Sequence, residues 1–331
     1  MNYKFLGKTG IKVSPLCLGT MTFGKEADEA ASSAMFRFCR DKGINFFDCA
    51  DVYQAGRAEE ILGRLIQDCR EEVVITSKVY FATSQDVNAM GASRRHIRHA
   101  VESSLKRLGT DRIDIYFIHR FDDTTPLQET LRALDDLVRQ GKILYTGASN
   151  FAAWQVEKSL GISAMEGLAP FACLQPMYNL VKRQAEVEIL PMALAEGLGV
   201  ISYSPLGGGL LTGKYGRVDK PASGRLIENK LYQTRYGFDW MRETAGRFAA
   251  FAGERGFNPV SLAVAWVGSH PTITAPIIGG RGVEQLRSSI ASLDINMTPE
   301  LRGEVSALSP EPPPATDRTE ERTPFKYGVR S

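Results

Sequence analysis

Short apolar runs and helix-length amphipathic stretches alternate along nearly all of this 331-residue chain, and that alternation restricts its fold more than any other feature. Runs too short for a helix and rich in β-branched or aromatic residues read as strands. They fall at residues 16–18, 45–48, 73–77, 113–118, 144–148, 173–175, 200–203 and 275–278. Helical patterns occupy 28–42, 58–67, 93–108, 127–140, 152–160, 186–196 and 262–267. Gly43, Gly109, Gly141 and Gly197 each follow such a stretch, where a left-handed residue relieves the last helical carbonyls at little steric cost. Eight strands alternating with helices predict a parallel sheet closed into a (β/α)8 TIM barrel, with residues 1–331 as one barrel domain. A turn through Gly7 to Gly10 between two short strands predicts an N-terminal β-hairpin that plugs the barrel floor.

Two segments break the rhythm. Residues 207–239 are rich in Gly, Lys and Arg and mostly aperiodic, the pattern of a long functional loop after the seventh strand. The tail from residue 309, with Pro312, Pro313 and Pro314 in a row, cannot be regular helix or central strand. The expectation is a 310–331 tail that lies over the barrel mouth or stays disordered.

Charge and cysteine content narrow the class of function. A net charge of +2 with the two signs interspersed gives no footprint for nucleic acid or an anionic membrane. The five cysteines lack C-x-x-C spacing, and the four histidines lack metal-ligand spacing. The first ten residues have no apolar signal core, and no stretch is long enough to span a bilayer. A cytoplasmic protein with reduced thiols and no metal, acting on small molecules, is expected; self-association is left open.

At the carboxyl ends of three predicted strands stand Asp48, Lys78 and His119, with Tyr53 just beyond the first. In a barrel those ends meet at one face. A tyrosine, with an ordinary pKa near ~10, is a reluctant proton donor at neutral pH. A nearby lysine would stabilise its phenolate, an aspartate would keep the lysine charged, and a histidine could align a carbonyl. Any one of these residues alone is more often structural. The four together suggest a reductive site.

The chain resembles the aldo-keto reductases across nearly its whole length. The resemblance runs through Leu18-Gly19-Thr20 with Phe23-Gly24, the stretch from Gly43 to Ala50, Tyr53, Glu59-Glu60-Ile61-Leu62-Gly63 and Thr76-Ser77-Lys78. It continues through Asp114 to His119, Gly147-Ala148-Ser149-Asn150, Gln175 to Asn179, Ser202 to Leu206 and Ile278 to Arg281. It implies a barrel that binds NADP, as NADPH, without a Rossmann fold, and a tetrad of Asp48, Tyr53, Lys78 and His119 with Tyr53 as general acid. It further implies that Gly19, Thr20, Ser149, Asn150, Gln175, Tyr203 and Ser204 serve the cofactor. Among these, Ser149, Asn150 and Gln175 would hold the carboxamide and Tyr203 would stack on the nicotinamide. Leu206, Gly207, Leu210, Thr212 and Lys214 would wrap the pyrophosphate. Gly279, Gly280, Arg281 and Gln285 would hold the adenosine half, with Arg281 on the 2′-phosphate; Ser289 stands where relatives commonly carry Asn. Substrate-pocket candidates, by position alone, are Phe23, Tyr80, Phe81, Arg120, Phe121, Tyr178, Tyr236, Phe238 and Trp240.

Other classes stay open. Gly91 to Ile97 is similar to the β-subunits of voltage-gated potassium channels, redox-competent regulators built on the same barrel; retention of His119 and a chain that starts at the hairpin favour an enzyme. A non-redox lyase or isomerase with Lys78 as a Schiff-base lysine is a weaker alternative. Residues 208–214 spell G-x-x-x-x-G-K, but Tyr215 follows where a P-loop needs Ser or Thr.

Overall fold

The computed structural model describes residues 1–215, 224–318 and 320. Its strands are β1 (Lys4–Phe5), β2 (Lys12–Val13), β3 (Cys17–Gly19), β4 (Phe46–Asp48), β5 (Val74–Val79), β6 (Ile113–Ile118), β7 (Ile143–Ser149), β8 (Phe171–Gln175), β9 (Gly199–Ser202) and β10 (Ala275–Ile278). β3 to β10 pair in parallel and in sequence order, and β10 returns to β3, so the sheet closes into an eight-stranded barrel. The helices are α1 (Glu29–Asp41), α2 (Arg57–Ile66), α3 (Arg94–Leu108), α4 (Leu127–Arg139), α5 (Ala153–Glu166), α6 (Ile189–Glu196), α7 (Arg225–Glu228), α8 (Lys230–Tyr236), α9 (Asp239–Glu254), α10 (Pro259–Gly268), α11 (Val283–Ile290) and α12 (Pro299–Ser306).

The helix starts are written locally. Asp28 accepts from the Ala31 amide ahead of α1, Ser93 from the His96 amide ahead of α3, and Asn258 precedes Pro259 at the first position of α10, so amides left over by each first turn are satisfied. Gly109 and Gly197, both left-handed, end α3 and α6.

Period-two alternation sorts the barrel side chains. Phe47, Ile75, Ile118 and Leu174 join the core between strands and helices. Cys17, Phe46, Val74, Ile115, Phe117, Cys173, Ile201 and Ala275 turn into the barrel. The antiparallel β1–β2 hairpin adds Leu6 and Val13 to that interior cluster. It sits tightly: a Cβ on Gly7 would lie 2.4 Å from the Gly199 amide nitrogen at the start of β9. The floor is therefore sealed by apolar side chains, and the open end is the one where β4 to β9 finish.

Two expectations need correction. The segment after β9 is not one long loop: residues 207–212 form a 3-10 turn and α7 and α8 follow. Its positive-φ glycines hide a helical pattern that short pieces cannot display. Residues 239–254, 283–290 and 299–306 also form helices outside the helical patterns read from the sequence. Of the 310–331 tail expected to lie over the mouth or stay disordered, residues 319 and 321–331 lie outside the described residues.

Candidate active site

The interior positions above the apolar plug are polar. Along β4 the inward side chain changes from Phe46 to Asp48, along β5 from Val74 to Thr76 and Lys78, and along β8 from Cys173 to Gln175. Lys78 is fully buried and sits at the centre. Its Nζ donates to Asp48 Oδ2 at 2.8 Å, to the Cys49 carbonyl at 2.7 Å and to the Tyr53 hydroxyl at 3.2 Å. The second Asp48 oxygen accepts from Thr76 Oγ1 at 2.7 Å and from Gln175 Nε2 at 2.7 Å. A buried ion pair is stable when its remaining lone pairs and protons are used, and here both carboxylate oxygens and the ammonium are engaged.

Tyr53 hangs over this pair from a turn in which Gln54 and Ala55 take φ of 50° and 54°. Gln54 anchors the turn by donating to the Met21 carbonyl at 2.9 Å. Lys78 Nζ also lies 4.8 Å from the Tyr53 ring centroid. His119 meets Tyr53 edge-on at 6.1 Å between centroids, and Phe81 closes on the other side of His119 at 4.9 Å. Sequence reasoning named all four polar residues. It missed Thr76, although a hydroxyl two residues before Lys78 on the same strand face was a readable signal.

Electrostatics set the protonation states. Burial raises Tyr53 above its ordinary value; Lys78 pulls the other way but does not cancel it. The expected net lowering by Lys78 is thus not found, because desolvation of a phenolate outweighs one nearby cation. Burial also opposes the charge on Lys78, yet Asp48 and Tyr53 together raise it above normal. His119 is held well below its usual range by burial and then by Lys78. It is a neutral imidazole at neutral pH, and its buried Nδ1 has no partner among the described residues.

The neighbouring strand ends carry a second, connected set. Ser149 Oγ donates to the Gln175 carbonyl at 2.9 Å, and Asn150 Nδ2 donates to the His119 carbonyl at 2.9 Å and to Ser149 Oγ at 3.0 Å. The Tyr203 hydroxyl donates to Asn150 Oδ1 at 2.7 Å. Asn150 and Ser204 both hold positive φ, 58° and 59°, local strain of the kind found at ligand sites. Thr20 binds the Asp48 carbonyl through its amide and hydroxyl, and Gly19 is pressed against β10, since a Cβ there would lie 2.7 Å from Ile277 Cγ2. Gly207, Gly208 and Gly209 are all left-handed. Thr212 Oγ1 donates to the Gly209 carbonyl, while Lys214 is exposed, its Nζ 4.8 Å from the Tyr215 ring centroid. Gly279 and Gly280 follow β10, the Gln285 side chain accepts from the Arg281 amide at 2.8 Å, and Arg281 faces Glu228 of α7 at 3.8 Å.

Several expected residues are elsewhere. Tyr178 is fully buried and stacked on Trp266 at 5.1 Å, donating to Glu186 and accepting from Arg302; it is a core residue, not a pocket wall. Phe23 is fully buried in the same core. Tyr236 is also buried and, with Leu210, Tyr215, Leu226 and Ile227, lines a cavity of about 260 Å³ behind the post-β9 turn. Leu210 and Ser289 are buried, which leaves Leu210 its backbone for contact with a ligand. Phe238 and Trp240 are exposed at the start of α9. Tyr80 packs edge-on against Phe81, Phe121 packs against Phe151 and Trp154, and Arg120 is exposed beside His119. No group of three or more metal-ligating side chains converges among the described residues.

Residues 15–309 match the Aldo/keto reductase family. The chain belongs to that family. It is 37% identical over 327 residues to a probable voltage-gated potassium channel subunit beta of Oryza sativa subsp. japonica, covering 96% of this chain and 99% of the relative. It is 38% identical over 329 residues to the uncharacterized oxidoreductase YrpG of Bacillus subtilis (strain 168), covering 94% and 97%. A versiconal hemiacetal acetate reductase of Aspergillus parasiticus is 33% identical over 334 residues, covering 91% and 94%. As a member of this family the protein is an oxidoreductase, in a branch whose relatives include potassium-channel-β-like proteins. No helix among the described residues is long and apolar enough to cross a membrane.

Proposed function

We propose that this aldo/keto reductase reduces an aldehyde or ketone to an alcohol, reversibly, using NADPH and a proton from Tyr53. The observation that carries the reading is the buried Lys78, bonded at once to Asp48 and to the Tyr53 hydroxyl. Burial keeps Tyr53 protonated until it is needed. Once the proton leaves, the phenolate gains Lys78 as a direct ionic partner, so the stabilisation is larger after transfer than before. Neutral His119 presents an N–H rather than a competing positive charge, and an oxygen between the two rings is within reach of both groups. Asp48 holds Lys78 charged and in place.

The residues present fit a dinucleotide. Three consecutive left-handed glycines, Gly207 to Gly209, turn the chain tightly; the Gly207 and Gly209 amides are used by the Ser204 and Leu206 carbonyls, and the Gly208 amide would meet a phosphate. Room is scarce there: a Cβ on Gly208 would lie 2.6 Å from Tyr232. Lys214 and Arg281 supply exposed positive charge on either side. Ser149, Asn150 and Gln175 would take the carboxamide and Tyr203 the ring face. Leu206, Gly207, Leu210, Thr212 and Lys214 would take the pyrophosphate, and Gly279, Gly280, Arg281, Gln285 and Ser289 the adenosine half. NADPH, when bound, supplies the hydride.

Phe81 beside His119 and Phe121 nearby favour an apolar carbonyl compound. We further infer one barrel domain over residues 1–331, acting in the cytoplasm on small molecules without nucleic acid or a membrane. A second reading, a redox-sensing subunit that binds NADPH with little turnover, is favoured by the channel-subunit relative. Steady-state turnover across a panel of aldehydes and ketones separates the two.

The test is direct. NADPH should quench tryptophan fluorescence at micromolar concentration, and Tyr53→Phe should lower kcat by roughly 10²–10⁴-fold while leaving that quench intact. No response at millimolar NADPH, or a Tyr53→Phe enzyme as active as wild type, overturns the proposal.

A further inference from the structure

One buried titratable group behind the site has no part in the chemistry above. Asp51 lies in the turn between Asp48 and Tyr53 and is 1% exposed. Its amide donates to the Lys78 carbonyl at 3.4 Å, but neither carboxyl oxygen makes a hydrogen bond of ordinary geometry with any described residue. A buried carboxylate left in that state is costly.

The groups around Asp51 explain why it has no partner. Glu59 comes from α2, Arg107 from α3, Lys78 from β5 and Tyr116 from β6. Glu59 is fully buried and accepts from Ser77 Oγ at 2.5 Å and from Arg107 Nε at 2.7 Å. Lys78 is matched to Asp48. Both nearby cations, the buried Lys78 and the half-buried Arg107, therefore already have a carboxylate, and Asp51 is the odd one. The Tyr116 hydroxyl beside it is likewise buried and unpartnered, so it brings no countercharge.

We propose that the resting enzyme carries Asp51 in its protonated form as a positioning residue for the Lys78–Tyr53 pair, and that loss of this proton to solvent slows reduction. The proposal rests on Tyr53 being the acid. An ionised Asp51 would add a second negative charge to the field of Lys78, weakening its hold on a phenolate at Tyr53. Burial first, and Glu59 second, push Asp51 up to about 7 against Arg107, the Val52 amide and Lys78, so the change falls within the range of ordinary assays.

Asp51→Asn, an uncharged isostere, tests it. Wild-type kcat should fall by roughly three- to ten-fold along a one-proton limb as pH rises through neutrality, equivalent to up to one unit in the proton affinity of Tyr53; the variant should be flat there. A second readout needs no turnover. With its folded pKa above the unfolded value near ~3.9, Asp51 makes wild-type stability decline as pH rises between about 4 and 7, and Asp51→Asn should lose that slope. If the variant fails to fold, the infrared carbonyl band of a protonated carboxyl in wild type, present in mildly acidic buffer and lost in alkaline buffer, decides the protonation state. A limb unchanged in Asp51→Asn, or no protonated-carboxyl band, overturns the proposal while leaving the Tyr53 assignment intact. A Tyr53→Phe enzyme of wild-type activity overturns the coupling together with the acid assignment, even where band and slope report a protonated Asp51.

Discussion

Replacing Lys78 by methionine keeps the length and bulk of the side chain and removes its charge. In the wild type that charge satisfies Asp48, whose carboxylate is 2% exposed. After the substitution Thr76 and Gln175 still donate to one Asp48 oxygen, but the other faces a methyl group. Removing one member of a buried pair costs about 3–5 kcal/mol. The remaining donors and the burial of an apolar side chain return some of this, which leaves a net loss of roughly 2–4 kcal/mol. Urea unfolding monitored by circular dichroism should register it as a lower midpoint with an unchanged slope. Single-turnover reduction should fall more than stability predicts, since the same nitrogen holds the Tyr53 hydroxyl at 3.2 Å. A Lys78→Met protein as stable as wild type would refute the claim that Asp48 depends on Lys78. One that reduces carbonyls at the wild-type rate would refute the role given to the Lys78–Tyr53 contact.

Three further outcomes follow from single contacts. Arg281→Ala should weaken NADPH by at least ten-fold, as expected for a lost charge-assisted bidentate contact of about 1.5–3 kcal/mol, and NADH hardly at all; equal losses in titration calorimetry would remove the 2′-phosphate argument. Gly147→Ala places a Cβ 2.4 Å from Phe117 Cε1 and 2.9 Å from the Cys173 carbonyl, so it should destabilise the barrel by about 1–3 kcal/mol, read as a lowered Tm. Asp122 accepts from the Ala92 amide and from Thr124 and Thr125; burial opposes ionisation, but these bonds hold it down to about 2. Its stabilisation is present above the unfolded value near ~3.9 and fades as pH falls toward that lower value. Asp122→Asn should therefore lose about 1–2 kcal/mol at neutral pH and nothing in strong acid.

Which parts of the molecule were legible follows from the period of each element. β6 and β10 match their sequence patterns to the residue, because a strand buried on both faces reads as a nearly continuous apolar run; the one charge in β6, Asp114, is paired with Arg70. α5 runs on to Glu166, past the point at residue 160 where the pattern weakens; Gly161 lies inside it with open space around its Cα, so glycine there marks no stop. α7 and α8 were illegible because four and seven residues are too few turns to display a helical period. Tyr178 was misplaced for a different reason. Its position in the motif after β8 suggested the mouth, but its ring is turned onto Trp266 and its hydroxyl is used up by Glu186 and Arg302. Side-chain direction in a loop has no period to read.

The polar end of the barrel is legible for a reason that also constrains how it can change. Inward positions recur every second residue, so each strand lays its side chains in layers: Phe46 then Asp48, Val74 then Thr76 then Lys78, Cys173 then Gln175, Ile201 then Tyr203. The lower layer meets the hairpin and is apolar. The upper layer is polar, and Asp48, Thr76, Lys78 and Gln175 satisfy one another within it. A polar side chain one layer lower would lie among Phe46, Ile115 and Phe117 with no donor to meet it, and a one-residue slip of any strand would turn its polar member toward the helices. The apolar floor thus fixes the height and register at which Asp48 and Lys78 can exist, and Tyr53, reaching in from a turn above them, is the one member of the set whose placement depends on backbone strain rather than on strand register.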